Sequence, residues 1–407
     1  MATPSDTRKW TTQYPELGTD PIPIEHCISP EYFAREREGI FRRVWLNIGR
    51  QEEIPHRGDF FVKEIQVCNS SVLVVRGKDN VIRAFHNMCS HRGNKVVRAC
   101  SGKTGGFVCG FHGWKYDLTG ALVHVPDEAQ FFGFEREGYG LTPIATGVWE
   151  GFIFVNMDPH PRETLKDFLG ELGEGLSGYP FDKMTLVGTY RAEVKANWKI
   201  TLDSFQEGYH VAFLHKRSAG RAYADKKNPV THALAFRLFK LHRMMSIPGA
   251  AGYRPTPVEI IAHRFGSSIT SVEGKRDSVH SVPPALNPTK SAEWVFDMII
   301  FFPNFFMFLF DGTYFTYNFW PLAQDHTVWE TRTYFPEAIN AGQRFSQEYG
   351  KCALRDTLRE DGNTLEAIHS NLASGAKTHF VLQDQEILIR HSHKVVADMV
   401  ENLEFRI

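Results

Sequence analysis

Long apolar runs are missing from this chain. Nowhere in its 407 residues do eighteen apolar residues follow one another, and the most apolar stretch, 294–310, is broken by Asp297, Pro303 and Asn304. A membrane-spanning helix is therefore not expected. Charge of either sign is also missing in excess: 46 Lys and Arg stand against 47 Asp and Glu, leaving −1. That balance removes the electrostatic case for nucleic acid or an anionic membrane as partner. Cysteine is scarce, with six residues at positions 27, 68, 89, 100, 109 and 352 that show no disulfide pattern. A reducing, cytoplasmic location fits best. The opening residues, MATPSDTRKWTTQYPELG, lack the apolar core of a secretory leader. No Gly-rich dinucleotide motif follows a strand-like segment, and no repeat or flexible linker is evident.

What is present centres on 89–112, CSHRGNKVVRACSGKTGGFVCGFH. Cys89-x-His91 and Cys109-x-x-His112 are separated by 17 residues, each pair in a Gly-containing loop. Two thiolates and two imidazoles suit tetrahedral zinc. They also suit a Rieske [2Fe-2S] centre, in which one iron takes two thiolates and the other two imidazoles, so that each loop supplies one of each. Zinc loops more often pair like with like. With Arg92-Gly93 and Gly113-Trp114 behind them, these residues resemble the Rieske motif of ring-hydroxylating oxygenases. The disulfide-clamped respiratory type has two further cysteines where this chain has Asn94 and Phe111. The resemblance thus implies the lower-potential cluster of an oxygenase, with fewer hydrogen bonds to its sulfurs.

The flanking sequence is organised to hold such loops. SPEYFAREREGIF reads as a helix, with Ser29 at its N-cap and Pro30 at its first position. From Asp59 the period changes to two through DFFVKEIQV, SVLVVRG and VIRAFHN, which predicts an antiparallel sheet. WKYDLTGALV reads as a hairpin and GVWEGFIFVNMDP as one buried strand ended by Pro159. These limits predict an N-terminal helical segment over 1–44, lying on the second domain, and a small β domain over 45–160. Over 161–407, strand-like and aromatic segments between about 230 and 340 give way to helical ones after Asn340. The fold class expected is α+β: an antiparallel Rieske domain, then a helix-covered antiparallel sheet of the helix-grip type.

A second candidate site lies in 197–215, NWKITLDSFQEGYHVAFLH. A five-residue step turns about 140° on a helix, so His210 and His215 share a face only if the helix distorts or ends between them. NWK followed by Glu-x-Tyr-His-x4-His resembles the mononuclear iron motif of the same oxygenases. The resemblance implies a 2-His-1-carboxylate triad with open positions for oxygen and substrate. His210 and His215 supply two ligands. The third is expected at Asp384, in VLQDQEIL, which resembles the family's Glu-Asp segment with Gln383 in place of Glu; Glu386 is the alternative. Glu207 stands where most of the family has Asp. The resemblance makes it the electron-transfer bridge between His210 and a Rieske histidine of a neighbouring subunit.

The function implied is that of a terminal oxygenase component, with one [2Fe-2S] cluster and one mononuclear Fe(II) per chain. It would use O2 and electrons from a separate NAD(P)H reductase, with or without a ferredoxin, to hydroxylate an aromatic or other small organic substrate. Oxidative N- or O-demethylation is the alternative on the same scaffold. An electron-transfer Rieske protein and a zinc-stabilised binding module are the alternatives of other classes. The assembly implied is a homotrimer, or an α3β3 hexamer with a small subunit.

Overall fold

The structure is a computed structural model that describes residues 9–266 and 282–401. The chain divides into two compact units, one formed by 37–168 and the other by 1–36 with 169–407.

In the first unit a seven-stranded antiparallel sheet among the described residues runs in the spatial order Trp45–Arg50, Phe152–Asn156, Pro143–Trp149, Ile82–His86, Ser70–Arg76, Asp59–Ile65 and Ser101–Lys103. The period-two segments become the ladder expected, with Val62 opposite Leu73 and Val74 opposite Ala84. Leu73, Val75 and Phe85 face a core that also takes in Trp114 and Tyr116. A three-stranded sheet, Phe107–Val108, Lys115–Tyr116 and Leu122–His124, carries the second cluster loop. One expectation is corrected. GVWEGFIFVN is not a single strand but a hairpin, Trp149 opposite Phe152. Glu150 (φ 47°) and Gly151 (φ 83°) both take the left-handed conformation that a two-residue turn requires.

The second unit has its own seven-stranded antiparallel sheet among the described residues. Its spatial order is Met184–Val194, His326–Pro336, Thr313–Ala323, Phe305–Phe310, Trp294–Phe301, Arg243–Pro248 and Ala235–Leu238. Helix Ala341–Leu372, capped by Asn340 whose side chain accepts from the Gln343 amide, lies against the strand Met184–Val194 and the short helix Trp198–Asp203. Helix Ile387–Glu401 lies against Arg243–Pro248 and Ala235–Leu238. The helix expected after Ser29 is Pro30–Glu36, with the Ser29 hydroxyl accepting from the Tyr32 amide at 3.0 Å. The fold is α+β, and in the second unit a buried sheet wall faces a long helix.

Candidate metal centres and substrate cavity

The two Cys-His loops of the first unit repeat one backbone design. In the first, the Cys89 amide donates to Asn94 O at 2.8 Å and Gly93 N to Cys89 O at 2.9 Å; in the second, Cys109 N donates to Trp114 O at 2.8 Å and Gly113 N to Cys109 O at 2.9 Å. Each loop turns on a left-handed glycine, Gly93 at φ 74° and Gly113 at φ 73°, a conformation a side chain would strain. The thiols end up buried and the imidazoles at the surface. Cys89 and Cys109 are 2% and 1% exposed, and the Nδ1 atoms of His91 and His112 approach to 3.1 Å. Tyr116 fixes the Cys89 side, its hydroxyl 3.2 Å from the sulfur and accepting from the Ser90 amide at 3.1 Å. Trp114 stacks on His91, ring centres 5.0 Å apart and planes 9° apart. Burial, then the neighbouring His112 and Arg92, lowers the His91 pKa, which favours the neutral, ligating form. Two buried sulfurs and two facing imidazole nitrogens fit a [2Fe-2S] cluster of the Rieske kind.

The second centre is built where a helix stops. Asn197 caps helix Trp198–Asp203 by accepting from the Lys199 amide. Trp198 and Lys199 both reach back to the fully buried Glu36, the indole nitrogen donating at 2.8 Å and the ammonium forming a buried ion pair. The chain then unwinds and restarts as the single turn Val211–Leu214, with His210 at its N-cap and His215 at its C-cap. This break in the helix is what lets the two rings face each other, their Nε2 atoms 3.2 Å apart.

Carboxylates orient both rings from behind. Glu207 accepts from the His210 amide at 3.0 Å and pairs with His210 Nδ1; Glu360 lies 2.9 Å from His215 Nδ1 and accepts from the Ser218 hydroxyl. With each Nδ1 proton engaged, each Nε2 offers a lone pair forward, the usual way a carboxylate prepares a metal-binding histidine. Asp361 meets them: its Oδ1 is 3.1 Å from His215 Nε2 and 3.8 Å from His210 Nε2. That oxygen is buried without a hydrogen bond. Burial lowers the His215 pKa, but Asp361 and Glu360 outweigh it and the net shift is upward, so the pocket draws positive charge. Two nitrogens and a carboxylate oxygen within 4.8 Å of one another fit a mononuclear iron.

Asp384, expected as the third ligand, is not in this group. Its carboxylate is engaged by the N-terminal turn, accepting from the Trp10 and Thr11 amides at 2.9 Å each and from the Thr11 hydroxyl at 2.8 Å. Glu386, the alternative, accepts from the Gln383 amide at 2.7 Å in a capping box. Asp361, which sequence reasoning missed, carries the signal that was sought: Glu360-Asp361 is a literal Glu-Asp pair, whereas 383–384 reads Gln-Asp.

A cavity of about 600 Å³ opens from this centre. One wall is the sheet, through alternate residues such as Phe296 and Met298, Phe308 and Phe310, and Phe315 and Tyr317. The other is helix Ala341–Leu372, through Tyr349, Ala353, Thr357 and Asp361. At 1.5 Å per residue the twelve steps from Tyr349 to Asp361 span about 18 Å.

Comparison with known proteins follows the same division. A family model described as "Ring hydroxylating alpha subunit (catalytic domain)" matches residues 181–402, and one described as "Rieske [2Fe-2S] domain" matches 44–142. The glycine betaine monooxygenase oxygenase subunit of Chromohalobacter salexigens is 33% identical over 200 residues, 49% of this chain and 44% of that protein. The carnitine monooxygenase oxygenase subunit of Acinetobacter pittii is 28% identical over 207 residues, 50% and 55%. The large oxygenase component of a naphthalene 1,2-dioxygenase system from Pseudomonas aeruginosa is 36% identical over 197 residues, 46% and 43%. The chain thus spans about half the length of the curated relatives it matches. Among solved structures, the quaternary ammonium Rieske monooxygenase CntA with an inhibitor has a TM-score of 0.73 at 19% identity, covering 93% of this chain and 95% of that one. Naphthalene 1,2-dioxygenase from Rhodococcus sp. bound to indole gives 0.72 at 21%, covering 96% and 98%. At these identities the structural likeness is one of fold.

Proposed function

The chain belongs to the ring-hydroxylating alpha-subunit family, and on that premise we propose that it is a terminal oxygenase component that oxidises a small organic substrate with O2. The observation that carries this reading is the convergence of His210, His215 and Asp361 in the lining of a cavity whose sheet wall is mostly aromatic. Cys89, His91, Cys109 and His112 would hold the [2Fe-2S] cluster, and His210, His215 and Asp361 the iron. When bound, the cluster supplies electrons one at a time and the iron activates oxygen. The protein's own work is positional. Glu207 and Glu360 fix the two imidazoles with Nε2 forward, and the phenylalanine wall keeps water from the reacting face and holds an apolar body beside it.

The same reading assigns the partners. Electrons come from a separate NAD(P)H-dependent reductase, directly or through a ferredoxin. The chain works in the cytoplasm as a homotrimer or with a small subunit, so that Glu207 pairs with His112 of the partner subunit. Aromatic substrates, as in the catabolism of aromatic hydrocarbons, suit the wall by stacking. Demethylation of a quaternary ammonium compound is the second reading. The betaine and carnitine relatives favour it, as does the attraction of a cation for aromatic faces.

The test is metal stoichiometry with product analysis. Anaerobically purified protein is expected to contain three irons and two sulfides per chain. His210→Ala should remove one iron and leave the visible spectrum of the cluster. With a surrogate reductase, naphthalene and glycine betaine are then offered under O2. Zinc in a colourless protein, or two irons with no loss on His210→Ala, would sink the reading.

A further inference from the structure

The sheet wall of the cavity is apolar except at one point. Phe296, Met298, Phe308, Phe310 and Phe315 offer no hydrogen-bond donor, and Tyr317 adds a phenol among them. Tyr317 is 3% exposed. Rings hold it on all sides, with centres at 4.7 Å for Phe308, 5.1 Å for Phe205 and 5.3 Å for Trp329. Such a clasp leaves the phenol little rotational freedom. Its hydroxyl makes no hydrogen bond to any described residue, yet it is not sealed in protein: what little of the residue is accessible opens on the cavity. A buried hydroxyl without a partner is destabilising, and a phenylalanine would continue this wall without that cost. The hydroxyl therefore has a use only toward whatever fills the cavity.

We propose that Tyr317 is the orienting contact of the cavity, donating a hydrogen bond to an oxygen of the substrate. The preferred substrate is then an apolar or aromatic body bearing an oxygen acceptor, such as a hydroxyl, carbonyl, ether or carboxylate, rather than a bare hydrocarbon. This inference rests on the oxygenase reading and narrows its substrate class. Two features support the placement. Burial first, and the negative charge of Asp361 second, hold the phenol far above its ordinary range, so it remains a donor at physiological pH. Tyr317 also lines the same cavity as His210, His215 and Asp361, so an oxygen anchored there decides which carbon of the substrate is presented.

The experiment measures binding without turnover. Oxidised holoenzyme with no reductant present is titrated with two pairs of probes, naphthalene with 2-naphthol and toluene with p-cresol, for the wild type and Tyr317→Phe. The wild type should bind the oxygenated member of a pair about three- to tenfold more tightly, the range expected for one neutral hydrogen bond. Tyr317→Phe should abolish that preference while its affinity for the hydrocarbon stays within about twofold, and a melting midpoint no lower than that of the wild type would show that the wall is intact. A preference that survives in the variant, a wild type without preference, or failure of all four probes to bind overturns the proposal. Iron stoichiometry is read on the same samples, so a failed contact with three irons per chain leaves the oxygenase reading standing.

Discussion

Replacing Asp361 and Asp384 separately by alanine discriminates between two carboxylates that look interchangeable in sequence. The structure assigns them opposite consequences. Asp361 Oδ1 is buried, makes no hydrogen bond, and points at two histidine nitrogens; its removal should abolish mononuclear iron, from one to below about a tenth per chain, because two neutral imidazoles alone hold Fe(II) weakly. Little of the folding energy of the metal-free protein depends on it. Asp384 instead accepts three hydrogen bonds, two of them from backbone amides at the start of the N-terminal turn. At about 1 kcal/mol each for partly exposed bonds to a charged acceptor, Asp384→Ala should cost about 2–3 kcal/mol. For a unit of this size that lowers the melting midpoint by roughly 4–10 °C. Iron should stay at one per chain. The assays are iron and sulfide per chain, the cluster spectrum as an internal control, and thermal unfolding of metal-free protein. Iron lost from Asp384→Ala and kept in Asp361→Ala would refute the assignment outright.

Three further outcomes follow from the same geometry. Glu360→Ala removes the carboxylate behind His215 Nδ1 and should weaken iron binding about 10–100-fold, as loss of such orienting partners does; chelator competition measures it, and an unchanged affinity would exclude the role. Lys199→Met strands the carboxylate of Glu36, which is 0% exposed, and should cost about 3–5 kcal/mol in urea unfolding, whereas pairing it with Glu36→Leu should recover much of the loss. Asp297 is fully buried, and although Ser246, Asn287 and Trp294 donate to it, burial pushes its carboxyl up from 3.8 to about 7. The folded state therefore keeps a proton the unfolded chain has lost, so this contribution, present below about pH 4, disappears as pH rises to 7. Asp297→Asn should gain on the wild type between pH 5 and pH 8 by on the order of a few kcal/mol, and parallel pH curves for the two proteins would contradict the shift.

What sequence made legible depended on how far apart the cooperating residues lie. The cluster loops are local: each Cys, its His and its turning glycine fall within five residues, so the motif and the family resemblance it carries could be read from sequence, and the period-two ladder beneath them could be read directly. His210 and His215 were readable for the same reason, including the break in the helix that their five-residue step demands. The third carboxylate was not, because Asp361 comes to His210 from 151 positions away on an otherwise ordinary helix. A Gln-Asp pair at the head of the last helix imitated the signal that Glu360-Asp361 carries in full. The hairpin at Glu150-Gly151 was missed because Glu is a weak marker for a turn that Asn or Asp usually announces. The cavity was hidden by a different effect. Thr313 to Pro321 are all buried, because both faces of this sheet are covered, and a strand buried on both faces shows no alternation to separate the wall of a cavity from a core. Phe296 and Met298 line the cavity while Asp297 between them faces the other way into a polar cluster. In such a strand the informative residue is the polar one that solvent does not explain. Asp297 and Tyr317 are both of that kind: the first is explained by the three donors the fold supplies, and the second is left for a ligand to explain.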